Sequence, residues 1–409
     1  MDSRQRTGHP SRVRVYGPLA PYADGFRQYL AAQGYHPQVI GRQARLMADL
    51  SIWLEGQGRS GDELVAGLAG EYLRARRAAG SRELVSALAV APVLRYLRSL
   101  GAVPAAVAPV PRTPVDRLLA EFAGYLAQER GLSPASVNSY LHHARPFLAS
   151  LAAPVSTALA ELSAAQVTAF MVGHRGQWGT GTAKATVTAL RALLRFLHAT
   201  GRVADPLASA VPSVAGWKLG PLPPDVNPDH VAALLAGCDR RSAPGRRDYA
   251  ILMLLSRLGL RASEVAAIEL ADVDWRAGEL MVRGKGSRQE QLPLPADVGE
   301  ALADYVQYAR PRCAGRPLLV ILRAPYTGLL RAHILAVVHR ACQRAGVPEF
   351  GPHRLRHAVA CDLLRRGASL AEIGQLLRHR DERTTAIYAK VDLDALRGLA
   401  RPCPEAGAL

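Results

Sequence analysis

Two proline-rich stretches constrain this fold more than any other feature of the sequence. Proline has no backbone N–H to give to a helix or to an interior strand, so elements end where prolines cluster. Residues 105–114 and 209–228 are of this kind, and they divide the 409 residues into three parts. Apolar side chains recur at helical spacing in the first part. Helices are expected from Phe26 onward and over 39–54, 63–78 and 84–100, the last interrupted at Pro92. After the first linker the pattern restarts. Phe122, Tyr125 and Leu126 echo Phe26, Tyr29 and Leu30, and residues 193–203 echo 93–103 with five of eleven identities and a shared aromatic. Two all-helical modules of similar plan are the natural reading.

The third part is mixed. Helices are expected over 229–238, 246–258 and 331–345, with a turn into a further helix over 259–270. Residues 279–283 and 289–294 read as strands joined by the turn Gly284-Lys285-Gly286-Ser287, and 318–322 as a third strand. The fold class is therefore mainly α and multidomain: helical N-terminal modules, then a mixed α/β domain with a small antiparallel sheet. The expected bounds are a basic flexible arm over 1–21, an additional helical module over 22–104, a second helical module over 115–208, the mixed domain over 226–395, and a tail over 396–409.

Charge narrows the partner. The formal net charge is +17, too large an excess for scattered solvated arginines, and it points to a polyanion. Five scattered cysteines without a C-x-x-C pair speak against a disulfide scaffold or a zinc site. No apolar run approaches a membrane span and the first residues lack an apolar leader, so a cytoplasmic protein without a membrane partner is expected.

The chemistry concentrates in residues 351–392. His353 and Arg356 lie one helical turn apart on one face, while Leu355, Val359 and Leu363 form the apolar row. Gly367 suits the end of that helix, and Ser369 with Glu372 forms a capping box for a helix over 370–377. His379 follows in the next turn, and Asp381 caps a third helix carrying Tyr388. Arginine offers phosphate a bidentate fork, histidine donates to oxygen or moves protons, and a tyrosine hydroxyl can attack phosphorus. Upstream, Arg261 follows a glycine at a helix start with Glu264 one turn later to hold it, and Lys285 sits at a hairpin tip between glycines. A metal or cofactor is not needed for this chemistry.

In order and spacing, G-L-R-A-S-E-V, R-G-K-G-S-R, H-R-L-R-H and L-R-H-R-D-E-R-T-T-A-I-Y resemble the tyrosine recombinase (phage integrase) family over residues 229–395. The module over 115–205 resembles that family's SAM-like core-binding domain. The resemblance implies a site-specific DNA recombinase acting on double-stranded DNA without metal or ATP. Arg261 and Arg356 would clamp the non-bridging oxygens with His379 donating a further bond. His353 would serve as base for Tyr388 and Lys285 as acid for the departing 5′ oxygen, giving a 3′-phosphotyrosyl linkage. It implies further a homotetramer synapsing two sites, for a mobile element, with sister recombinases or DNA-bending proteins as added partners. The tail past Tyr388, with Leu393, Leu396 and Leu399 in an apolar row, would dock on a neighbouring protomer. One departure is Arg378, where the family has glycine; its side chain either crowds the turn or adds a phosphate contact. A type IB topoisomerase, a telomere resolvase and an inactive DNA-binding regulator are the alternatives.

Overall fold

The computed structural model describes residues 13–105, 113–152, 154–174, 176–214, 227–284, 288–313, 315–378 and 385. Sixteen α-helices and one three-stranded sheet lie among them. The chain divides into two compact units, one of residues 1–106 with 221–409 and the other of 107–220.

The first helical set holds α1 (Ala23–Ala32), α2 (Pro37–Gly56), α3 (Ala66–Ala78) and α4 (Ala87–Ser99). His36 caps α2, its Nδ1 accepting from the Gln38 N–H at 3.3 Å, and Pro37 follows at the first helical position, where no N–H is missed. Phe26, Leu30, Met47, Leu50, Tyr72, Val93 and Leu97 fill a separate core. The expected interruption at Pro92 does not occur. α4 runs through it because the acceptor Pro92 leaves unpaired is the carbonyl of Leu88, a residue 83% exposed, where water can replace the missing N–H. The helix does start later than expected, since Leu84 is left-handed at φ 53°.

The other unit holds α5 (Pro114–Gln128), α6 (Pro134–Ser150), α7 (Val155–Ala160), α8 (Ala164–Gly173) and α9 (Thr180–Ala199). Thr113 and Asp116 cap α5 reciprocally, and Ser133 caps α6 ahead of Pro134. Its interior repeats that of the first set. Phe26 meets Tyr96 at 5.5 Å and 40°, and Phe122 meets Phe196 at 5.4 Å and 38°. Tyr29 meets Tyr96 at 5.2 Å and 41°, and Tyr125 meets Phe196 at 5.3 Å and 40°. Both last helices end in the same way. Leu100 and Thr200 donate to Tyr96 and Phe196, Ala102 and Arg202 donate to Leu97 and Leu197, and Gly101 and Gly201 stand left-handed at φ 68° and 69°.

The mixed region begins with α10 (Pro228–Ala236), α11 (Ala243–Arg257) and α12 (Ala262–Ala267). β1 (Val273–Asp274), β2 (Glu279–Arg283) and β3 (Gln289–Pro293) follow as an antiparallel sheet in that order, with Met281 opposite Gln291 and Arg283 opposite Gln289. Then come α13 (Ala296–Tyr308), α14 (Arg331–Ala345), α15 (Pro352–Arg365) and α16 (Leu370–Leu376). Leu280 and Val282 alternate inward from β2 onto the core that Ile251, Leu254 and Leu255 of α11 share with Leu302 and Val338. The strand expected over 318–322 is absent, and the third strand is β1. Val320 makes one antiparallel bridge with Gly328, with Ile321 donating to Thr327 O and Leu329 to Leu319 O. Leu318 turns instead to Ile268 O and the Val320 N–H to the Tyr305 hydroxyl, so the pairing stops at that bridge and no ladder forms.

Candidate active site

α12 begins at Arg261, and two residues earlier Gly259 makes that start possible. Gly259 is left-handed at φ 58°, and a Cβ there would lie 2.8 Å from Leu377 Cδ2, so a larger residue meets both strain and collision. Arg261 is the N-cap of α12, and Glu264, at N3, holds it from both ends. Glu264 Oε2 accepts the Arg261 N–H at 2.9 Å and Oε1 accepts Arg261 Nη1 at 2.6 Å. The Glu264 side chain is 3% exposed, that of Arg261 40%. Burial pushes the Glu264 carboxyl up. The Arg261 N–H, the charge of Arg378 and the Arg261 guanidinium outweigh it, and the group lies below its ordinary range. A charged guanidinium with one edge anchored and the rest open to water is suited to meet a phosphate.

α15 supplies the next pair. Pro352 starts it and Gly367, at φ 87°, lies just past its end. Arg356 is buried, which its place on a polar helix face does not foretell. It donates through Nη1 to Gly259 O at 2.5 Å and through Nη2 to Leu377 O. Two of its five donors thus tie the segment ahead of Arg261 to the turn after α16. His353 lies in the first turn of α15 and is exposed, yet desolvation by the surrounding protein, then Arg356 and Arg261, holds its pKa below the ordinary histidine value. A neutral imidazole is the form a general base requires.

Sequence reading missed His357, although H-R-L-R-H sets two histidines four residues apart. Its ring meets that of His353 at 4.6 Å and 63°. Burial, then His353, Arg356 and Arg354, lowers its pKa to about 4. The unfolded chain therefore binds this proton more readily than the folded one, so stability falls as pH drops from about 6.5 toward 4. The loss expected from this group is on the order of 2–3 kcal/mol. Denaturant melts of the parent and of His357→Asn over that range check it, and equal slopes against pH would contradict it.

Ser369 and Glu372 cap α16 reciprocally, as the sequence indicates. Buried Thr385 packs on the same helix, with a Cβ built at Gly374 only 3.1 Å from its Oγ1. Gly284 N donates to Arg288 O at 2.8 Å, closing the base of the hairpin turn. Lys285, His379, Tyr388 and the tail lie outside the described residues. The structure thus brings together Arg261, Glu264, His353 and Arg356, with the turn leading to His379 joined to them through Leu377.

The sequence model of the Phage integrase family matches residues 225–394, and that of its N-terminal SAM-like domain matches 119–201. A putative integrase/recombinase, y4rA of Sinorhizobium fredii, is 40% identical over 393 residues, covering 95% of each chain. The chain belongs to the phage integrase family, the tyrosine recombinases. The tyrosine recombinase XerD of Mycobacterium tuberculosis is 33% identical over 293 residues, 68% of this chain and 93% of that one. Among solved structures, the XerH recombinase in a post-cleavage complex with palindromic difH shares the fold. Its TM-score is 0.54 at 18% identity, with 81% of this chain and 93% of that chain covered. As a family member the recombinase binds DNA, breaks its strands and rejoins them. Among the described residues no helix is long and apolar enough to cross a membrane.

Proposed function

We propose that this recombinase is site-specific and exchanges strands between two DNA sites through a 3′-phosphotyrosyl intermediate. The observation carrying the reading is the Arg261–Glu264–Arg356 cluster beside His353, whose pKa burial and these arginines hold below the ordinary histidine value. As a phosphodiester becomes five-coordinate, charge grows on its non-bridging oxygens, and Arg261 and Arg356 neutralise it with help from His379. His353 takes the proton of Tyr388, whose oxygen attacks phosphorus. The bond to the 5′ oxygen breaks, and Lys285 returns a proton to it. The phosphotyrosyl ester keeps the energy of the broken bond, so a 5′ hydroxyl from another strand reverses the step without ATP. Synapsis by a homotetramer for a mobile element follows from the family resemblance. A duplex nicked beside the scissile bond tests the reading, because its short product diffuses away and strands the adduct. Accumulating adduct that survives EDTA is expected. Binding without adduct would leave an inactive regulator, and loss on chelation would indicate a metal-dependent nuclease.

The domain division proposed is an arm over 1–21, a module over 22–104, the core-binding domain over 115–208, the catalytic domain over 226–395 and a tail. The shared aromatic geometry supports reading 22–104 as a second copy of the core-binding plan that lengthens contact along DNA. Deleting residues 1–110 should then leave cleavage of a nicked core site, with a shorter footprint and a shallower dependence of affinity on salt. An unchanged footprint and slope would assign the module to protein contacts.

A further inference from the structure

Arg378 stands where neither its backbone nor its side chain is at ease. Its φ is 54°, the left-handed region that a residue with a Cβ rarely adopts. Its side chain is only 6% exposed, and buried charge is tolerated where it is paired. The partners are specific. Nη2 donates to Glu264 Oε2 at 2.8 Å, Nη1 to Leu376 O at 3.3 Å, and Nε lies 3.7 Å from Glu290 Oε2. Nε has no hydrogen-bond partner among the described residues. A glycine would adopt this backbone without strain and bury no charge, so the arginine carries two costs that a turn does not require.

Glu264 is the group that holds Arg261, and its carboxylate is divided between two guanidiniums. Oε1 takes Arg261 Nη1, and Oε2 takes Arg378 Nη2 with the Arg261 N–H. Arg378 thereby fixes the carboxylate from behind and offsets part of its charge, leaving the open guanidinium of Arg261 more attractive to an anion. Glu290 lies on β3, next to Gln289, which pairs with Arg283 at the end of the hairpin carrying Lys285. Leu377, the residue before Arg378, accepts from Arg356. One side chain and its turn therefore touch the supports of Arg261 and Arg356, and the strand β3 beside them.

We propose that Arg378 is a positioning residue for strand cleavage, fixing Arg261 through Glu264 and tying β3 to the turn after α16 through Glu290. The proposal rests on reading Arg261 as a phosphate ligand. It is tested by single-turnover cleavage of the nicked duplex with Arg378→Gly and Arg378→Lys, each also combined with Arg261→Lys. DNA affinity and melting temperature are measured alongside. Arg378→Gly should cleave about 10–100-fold more slowly, the scale of a small misplacement at a reacting centre, with affinity unchanged within about twofold. In the Arg261→Lys background the same change should cost less than about threefold, since coupled residues are non-additive. Arg378→Lys keeps the charge at Glu264 and should recover most of the rate. If the glycine variant fails to fold, Arg378→Gln, which keeps the length and drops the charge at Glu264, takes its place, with the same expected loss in the parent and the same near-disappearance of that loss in the Arg261→Lys background. Full-rate cleavage by Arg378→Gly, or losses that multiply independently, would overturn the proposal. An Arg261→Lys enzyme as fast as the parent would instead remove the reading of Arg261 on which it rests.

Discussion

Arg356→Ala is expected to lose both rate and stability, whereas Arg261→Ala loses rate alone. Both arginines are assigned to the scissile phosphate, and removing such a donor costs about 10²–10³ in cleavage. Their burial separates them. Arg356 is 1% exposed and satisfies the carbonyls of Gly259 and Leu377, which alanine leaves buried without their donor. An orphaned buried acceptor costs about 1–3 kcal/mol, so unfolding should come roughly 5–10 °C lower. Arg261 is 40% exposed, and after its truncation Glu264 still has Arg378, so the melting point should move little. Calorimetry with single-turnover cleavage checks the contrast. Equal melting points for the two variants would mean that Arg356 is not a tie between the two segments, and equal losses of binding and cleavage would make both ordinary DNA contacts.

Tyr388→Phe is expected to bind target DNA with parental affinity and to form no covalent adduct at all. The substitution removes one oxygen, the proposed nucleophile, and leaves the arginines and their network in place. A nicked duplex run beside the parent, with and without EDTA, gives the comparison in one gel. Adduct from the phenylalanine variant would move the nucleophile elsewhere in the chain.

What the sequence disclosed and what it withheld follow from the range of the interactions. α14 and β2 lie where period and turn chemistry put them, over Arg331–Ala345 and Glu279–Arg283, because both are set by neighbours a few residues away. The capping box of Ser369 and Glu372 and the hold of Glu264 on Arg261 are likewise three-residue events. Residues 318–322 misled because a short apolar run says only that it is buried, not whether a partner strand is available. Pro92 misled because its cost depends on whether the carbonyl of Leu88 reaches water. Arg356 and Arg378 were noticed as chemistry-bearing positions, but their burial was not legible. It depends on Gly259 and Glu264, about a hundred residues away in the chain. His357 went unread because its low pKa comes from packing and from charges that only the fold assembles.

The central claim is that the tyrosine at 388 becomes joined to a 3′ phosphate. Proteolysis of the adduct trapped on a nicked duplex, followed by mass spectrometry of the nucleotide-bearing peptide, measures this directly. The peptide containing Tyr388 is expected, bearing nucleotides through a 3′ phosphate and leaving a free 5′ hydroxyl on the released strand. Nucleotides linked through a 5′ phosphate, or carried on a peptide lacking Tyr388, would contradict the account.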